Sequence, residues 1–203
     1  MQVETPVADS AFFPIILDFR ELTDKISDDK FESFCRQNPD AELEMTKEGE
    51  LVIMPPTGGR TGNRNFSLIV VFGNWLEIGK KGIGFDSSTV FKLPNGAKRS
   101  PDLAWIKNER WENLTAEEQE KFPPICPDFV VGLRSKSDSL KNLQDKMKEH
   151  IENGAALGWL IDPLEKKVHV YRPDAEIEIL DDPKQVSGEP LLKGFALNVR
   201  KLR

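Results

Sequence analysis

Two aspartates that follow prolines are the first residues in this sequence whose setting suits chemistry. Asp102 precedes the apolar run 103–106, and Asp128 precedes the apolar run 129–131. A strand sends alternate side chains to one face, so Asp102 would share a face with Ala104. Carboxylates at such positions are hard ligands for Mg²⁺ or Mn²⁺, the ions that assist phosphodiester hydrolysis. The alternative at both positions is an aspartate that only ends a turn after proline.

A charged helix follows these strands and carries a lysine at its boundary. With residues 139–153 in a helix, the apolar stripe is centred between Leu143 and Met147. Lys146 then lies to one side of that centre and Gln144 to the other, both at the boundary between core and solvent. A boundary lysine can present its ammonium to a cleft, where it orients water or stabilises developing charge. The alternative is an ordinary lysine on the helix surface.

The remaining elements are predicted from periodicity, caps and turn residues. Ser27 is expected to cap a helix that ends before Pro39, and Thr115 with Glu118 forms a capping box. A helix at 61–78 is predicted by the apolar stripe of Phe66, Ile69, Val70, Phe72, Gly73 and Leu76. Strands are expected at 41–45, 50–54, 83–93, 99–106, 129–134, 157–161, 167–171, 176–180 and 195–199.

Bulk composition favours one globular domain over residues 1–203, with residues 1–13 as a loosely ordered start. Cys35 and Cys126 lie far apart in sequence, which suits a reducing compartment, so we expect a cytoplasmic protein. His150 and His169 lack zinc-binding spacing. No secretory signal or membrane span is expected. The net charge of −6 argues against DNA binding by overall charge alone.

Several motifs between about Leu43 and Leu197 together resemble the Uma2 family of predicted restriction endonucleases. They are Met54-Pro55-Pro56-Thr57-Gly58-Gly59, Phe85-Asp86-Ser87-Ser88-Thr89, Leu93-Pro94-Asn95-Gly96, Arg99-Ser100-Pro101-Asp102, Cys126-Pro127-Asp128-Phe129-Val130-Val131, Leu133-Arg134-Ser135 and Asn153-Gly154 through Asp162-Pro163. The resemblance implies the PD-(D/E)XK nuclease superfamily. It therefore implies an α/β (α+β) fold, with a mixed central sheet flanked by helices in a restriction-endonuclease-like core.

The resemblance also implies a site and a cofactor. Asp102 matches the metal-binding aspartate, and Lys146 resembles the lysine that these proteins place on the following helix, with Gln144 as a near neighbour. Asp102 and Leu133 are the positions expected at the metal, which would be Mg²⁺ or Mn²⁺. DNA is the implied partner, and a homodimer would suit cleavage of two strands.

One position departs from the family pattern. The pattern Val-Val-Glu-Leu-Arg-Ser places the second acidic ligand where this chain has Gly132. Glycine offers no ligand, so we expect cleavage to be absent or impaired. Three accounts stay open: a natural relic that no longer cleaves, a replacement in this copy, or rescue by another carboxylate.

Basic residues near the expected site give it a means of holding phosphates. Arg99, Arg134 and Lys136 are predicted to contact nucleic acid, and a solvated surface of mixed charge is the alternative. Two rival functions remain: a non-catalytic module that binds nucleic acid or protein on the nuclease fold, and a small-molecule phosphohydrolase that uses the same site.

Overall fold

A computed structural model describes residues 14–18, 26–79 and 82–202. The α-helices are α1 (Asp28–Gln37), α2 (Gly59–Gly79), α3 (Asn108–Glu112), α4 (Ala116–Glu120) and α5 (Leu140–Glu152). The strands are β1 (Ile15–Leu17), β2 (Glu42–Met45), β3 (Leu51–Met54), β4 (Ile83–Asp86), β5 (Phe91–Lys92), β6 (Lys98–Arg99), β7 (Leu103–Ile106), β8 (Phe129–Leu133), β9 (Leu157–Asp162), β10 (Lys167–Tyr171), β11 (Glu178–Asp181), β12 (Val186–Ser187) and β13 (Ala196–Leu197). A 3-10 helix spans Val199–Leu202. The loosely ordered start predicted for residues 1–13 lies outside the described residues.

The central element is a six-stranded mixed sheet with the order β11-β10-β9-β8-β7-β4. Neighbouring strands run antiparallel, except that β8 and β9 are parallel. Parallel neighbours need a long crossover connection, and α5 lies within it. α5 packs on one face of this sheet through Met147, beside Val130 and Leu160. The predicted mixed sheet flanked by helices is confirmed.

A second sheet has five strands, in the order β1-β3-β2-β6-β5. The predicted strands at 83–93 and 99–106 were wrong as continuous strands, because each divides between the two sheets. In the first, the Asp86 carboxylate accepts hydrogen bonds from the N–H and Oγ of Ser88 and turns the chain between β4 and β5. In the second, Pro101 lacks an N–H and separates β6 from β7.

The predicted helix at 61–78 is confirmed, but its buried face matches the predicted stripe only in part. Phe72 is buried in the main core as expected, beside Leu68, which the stripe did not include, whereas Phe66 is 68% exposed and Val70 is 42% exposed. Packing against the apolar face of the main sheet determines which side of α2 is buried. The spacing of apolar residues within α2 does not determine it. This orientation turns the polar residue Asn65 towards the end of β7.

The predicted caps largely hold. Ser27 Oγ accepts from Lys30 N–H, and Thr115 and Glu118 form the capping box. At α5 the sequence favours Ser137 or Asp138 as the cap, but this prediction is wrong: the cap is Ser139, whose Oγ accepts from Asn142 N–H. Within the described part of the chain, none of the helices combines the length and the apolar character that crossing a lipid bilayer demands.

Candidate functional site

Asp102 stands at the entrance of β7, at the junction between the two sheets. Its Oδ2 accepts a hydrogen bond from the Leu133 N–H at 2.7 Å, and its Oδ1 accepts one from Asn65 Nδ2 at 2.9 Å. Burial raises the pKa of Asp102 to about 6, although these two donors act to lower it. The carboxyl group is therefore ordered and costly to ionise, as functional carboxyls often are.

Gly132 lies next to Asp102 across the sheet. β7 and β8 pair antiparallel, with Leu103 opposite Val131 as the last pair, and extending this register by one residue sets Asp102 opposite Gly132. Opposite residues of such a pair lie on one face with Cβ atoms about 5 Å apart. A Cβ added at Gly132 would lie 3.6 Å from Leu160 Cδ1 and from Met147 Sδ, which are ordinary contacts. The backbone thus accepts a side chain there, beside Asp102.

Lys146 approaches the same region from α5. Its Nζ lies 2.6 Å from Glu44 Oε2, and its side chain is 23% exposed. Glu44, on β2, is buried, and its other oxygen accepts from the Ser100 N–H at 3.2 Å. Burial acts to raise the pKa of Glu44, but the charges of Lys146 and Arg99 outweigh it and hold the pKa below its usual value. The lysine thus enters the site already paired with a carboxylate from the second sheet.

The cations that the sequence assigned to nucleic acid divide into two groups. Arg99 is buried and ion-paired with Glu44 at 3.1 Å and Glu149 at 2.6 Å. Arg134 is mostly buried and pairs with Asp162 at 2.6 Å. Burial between carboxylates argues against the phosphate contacts predicted for both arginines. Lys136, in contrast, is exposed.

Other predicted residues have simpler surroundings. The buried carboxylate of Asp128 accepts a hydrogen bond from the Lys107 N–H at 3.0 Å and forms an ion pair with Arg110 at 3.1 Å. These contacts stabilise the segment that follows β7. Gln144 is half-buried on α5 and does not belong to the described residues that line the cleft. His150 is buried on α5, and burial lowers its pKa to about 4.

A cleft of about 1300 Å³ brings the central candidates together. Those that line it are Asp102, Gly132, Leu133, Lys136 and Lys146. Four further lining residues, Glu44, Arg60, Arg64 and Asn65, were missed by the sequence analysis. The four-residue spacing of Arg60 and Arg64 on a helix that begins at Gly59 could have indicated a basic patch from the sequence. Glu44 gave none, because an acidic residue on a short strand reads as solvent-exposed.

The side chains present do not fit a preformed site for a divalent cation. Among the described residues, no three His, Cys, Asp or Glu side chains gather in a metal-binding arrangement. Asp102 supplies one carboxylate, and both its oxygens already accept hydrogen bonds. Leu133 donates its N–H to that carboxylate, so its backbone carbonyl oxygen is the atom with which it could ligate a cation. Asp138 also lines the cleft, and one of its two carboxylate oxygens, Oδ2, accepts the Ser135 N–H at 2.7 Å.

Comparison with known proteins agrees with this architecture. The sequence model of the Uma2 family, described as "Putative restriction endonuclease", matches residues 28–200. The chain belongs to the Uma2 family. The match extends the resemblance seen in the motifs towards both ends of the chain, from α1 through the 3-10 helix. That description makes it a family of nucleases. A cleft between the two sheets, such as the one described above, is a suitable place for a nuclease site.

A solved structure shows the same fold. It is described as a "putative nuclease belonging to DUF820" from Anabaena variabilis, and it superposes on this Uma2 chain with a TM-score of 0.67. The two are 22% identical, and the alignment covers 79% of this chain and 88% of that one. No curated protein sequence matches this chain significantly.

Proposed function

We propose that the cleft is the phosphodiester-hydrolysis site of a DNA endonuclease, and that Gly132 leaves it without its second carboxylate. The observation that carries the proposal is the register that sets Gly132 beside Asp102, with Lys146 lining the same cleft. Family membership supports DNA as the substrate. In this form the chain is proposed to cleave DNA weakly or not at all.

Each residue of the cleft has its own proposed role in the hydrolysis. Asp102 would present its carboxylate to a divalent cation if a second acid stood at position 132, since hard cations select oxygen ligands. Lys146 brings a positive charge near the place where negative charge develops, and the buried Glu44 fixes that ammonium in position. Asn65 and the Leu133 N–H hold the Asp102 carboxylate in one orientation.

The substitution Gly132→Glu tests the proposal. Supercoiled plasmid is incubated with the purified variant and Mg²⁺ or Mn²⁺, with a chelator as a blank. Since altering even a supporting partner of a metal changes activity about 10–100-fold, the variant should gain at least about 10-fold over the unchanged chain. The matched control Gly132→Gln has nearly the same shape without the charge and should gain nothing. No gain for Gly132→Glu over background defeats the proposal.

The incomplete donor set favours a second candidate, a non-catalytic module that binds nucleic acid on the nuclease fold. This candidate expects Asp102→Asn and Lys146→Gln to bind DNA as the unchanged chain does, and Gly132→Glu neither to bind metal nor to cut. Isothermal titration with Mn²⁺ separates the two, because only the nuclease proposal expects binding to appear with the new carboxylate.

The proposal includes a homodimer and a cytoplasmic location. Phe66, Val70 and Ile78 are exposed on α2, and a second copy that packed on this helix would cover their apolar surface. Sedimentation of the unchanged chain and of Ile78→Lys tests it, with a dimer expected only for the first. Free thiols at Cys35 and Cys126 suit a reducing compartment.

A further inference from the structure

Two arginines on α2 enter the cleft without acidic partners. Arg60 and Arg64 occupy the first two turns of the helix and line the cleft that contains Asp102. They are four residues apart, so they project from one face of the helix as neighbours. Within residues 14–18, 26–79 and 82–202, neither side chain makes an ion pair. This contrasts with Arg99 and Arg134, whose charges are neutralised inside the protein.

The surroundings of Arg64 are unfavourable for a cation left alone. Its Nε is buried and has no hydrogen-bond partner among the described residues. Burial lowers the pKa of Arg64, and the neighbouring charge of Arg60 lowers it further. A buried donor without an acceptor is unfavourable, and the repulsion of like charges four residues apart on a helix adds to that cost. An anion held between the two guanidinium groups would relieve both.

The position of the pair relative to Asp102 indicates which anion. Asn65, the residue after Arg64, donates to Asp102 Oδ1 at 2.9 Å. An anion on the arginines would therefore lie beside the proposed hydrolysis site. Asp40, Glu42 and Asp138 also line the cleft, so the two arginines are the groups that would attract an anion against this negative charge. Guanidinium groups match the geometry of phosphate oxygens and can bind them bidentately.

We propose that Arg60 and Arg64 bind backbone phosphates of the DNA strand that enters the cleft. The inference rests on the proposed function, because it takes DNA as the ligand of the cleft. It replaces Arg99 and Arg134 as the phosphate contacts and retains Lys136 on the same cleft. It also assigns α2, rather than the strand ends, as the element that positions DNA against Asp102.

The test compares DNA binding by the unchanged chain and by Arg60→Gln/Arg64→Gln, using fluorescence anisotropy of a labelled duplex in the presence of a chelator. Each phosphate contact contributes about 0.9 to the slope of log affinity against log salt, so the double variant should lose about 1.8. From about 50 to about 200 mM salt, the unchanged chain should then lose about 12-fold more affinity than the variant. A labelled single strand is the second ligand, for which the expected loss of slope is about 1.4.

The control is Arg172→Gln/Arg200→Gln, which removes the same charge from two arginines that do not line the cleft. It should leave both affinity and salt slope unchanged. Loss in duplex alone, in single strands alone or in both supports the proposal and states which form of DNA occupies the cleft. Equal slopes for the α2 variant and the control overturn it, as does absence of DNA binding by the unchanged chain. If the double variant does not fold, Arg60→Gln alone, at an exposed side chain, should lower the slope by about 0.9.

The binding test needs neither a metal ion nor the Gly132→Glu change, so its failure is distinguishable from failure of the proposed function. Gly132→Glu can also be compared with the triple variant Gly132→Glu/Arg60→Gln/Arg64→Gln. If both cleave DNA with the same KM, the nuclease proposal is supported and the phosphate-binding role of Arg60 and Arg64 is refuted.

Discussion

The substitution Asp102→Asn should stabilise the fold at neutral pH, because ionised Asp102 is held where it is poorly solvated. Burial raises the pKa of Asp102 from its usual 3.8 to about 6. Below pH 3.8 the carboxyl is protonated in both folded and unfolded chains, so there is no penalty. As pH rises, the unfolded chain releases this proton first, and the folded state loses stability until pH exceeds 6.

The magnitude follows from the size of that shift. At about 1.36 kcal/mol per pKa unit, the penalty is about 1.6 kcal/mol at pH 5 and at most about 3 kcal/mol at pH 7. The new amide can keep its hydrogen bonds. Its oxygen accepts from the Leu133 N–H, and its NH₂ can reach Asn65 Oδ1, which is buried without a partner among the described residues. Rotating the Asn65 amide therefore leaves the number of unpaired atoms unchanged.

Urea unfolding of both chains at pH 5 and pH 7 measures the effect. The free energy of unfolding of Asp102→Asn should exceed that of the unchanged chain, and the excess should grow by about 1.3 kcal/mol between the two pH values. Asp128→Asn is the matched control, since Asp128 also follows a proline and is buried but is paired with Arg110. It should destabilise at pH 7 by about 1–3 kcal/mol. An Asp102→Asn chain that is less stable by the same amount at both pH values would refute the reasoning.

Two further predictions concern buried groups around the cleft. Glu44→Gln leaves the Lys146 ammonium without its counter-charge, so the free energy of unfolding should fall by about 3 kcal/mol or more, against less than about 0.5 kcal/mol for the exposed Glu42→Gln. Equal effects of the two changes in urea unfolding would contradict it. Burial raises the pKa of Cys126 to about 12, so in the folded chain at pH 8 iodoacetamide should modify the half-buried Cys35 first, as mass spectrometry can follow. Faster modification of Cys126 would show that its region opens.

Local sequence patterns predicted the elements of the fold well, because caps and periodicity act over a few residues. Ser27 and the Thr115 capping box begin helices as expected, and Lys146 faces a cleft from the helix boundary. The sequence did not reveal that the segments 83–93 and 99–106 each divide between two sheets. This division depends on the strand with which each segment pairs. The turn residue Asp86 and the missing N–H of Pro101 could be read from the sequence, but neither predicts that the chain passes from one sheet to the other.

The candidate site was predicted only as far as single segments could reveal it. Asp102, Gly132 and Lys146 do line one cleft, while their chemical roles remain a prediction. The groups that hold them come from distant parts of the chain: Asn65 lies 37 residues before Asp102, and Glu44 belongs to the other sheet. No periodicity pairs residues over such separations, so these contacts required the structure.

Position 132 connects stability with the proposed chemistry. Asp102 already costs folding free energy when it ionises, and the Uma2 pattern would place a glutamate beside it on the same face of the sheet. Two adjacent carboxylates repel each other unless a cation lies between them, so that glutamate would raise the cost further in a metal-free chain. Glycine at 132 removes the repulsion while leaving Asp102, Asn65 and Lys146 in place. The fold can therefore keep the cleft without the proposed second ligand, because a glutamate at position 132 would oppose folding in the metal-free chain.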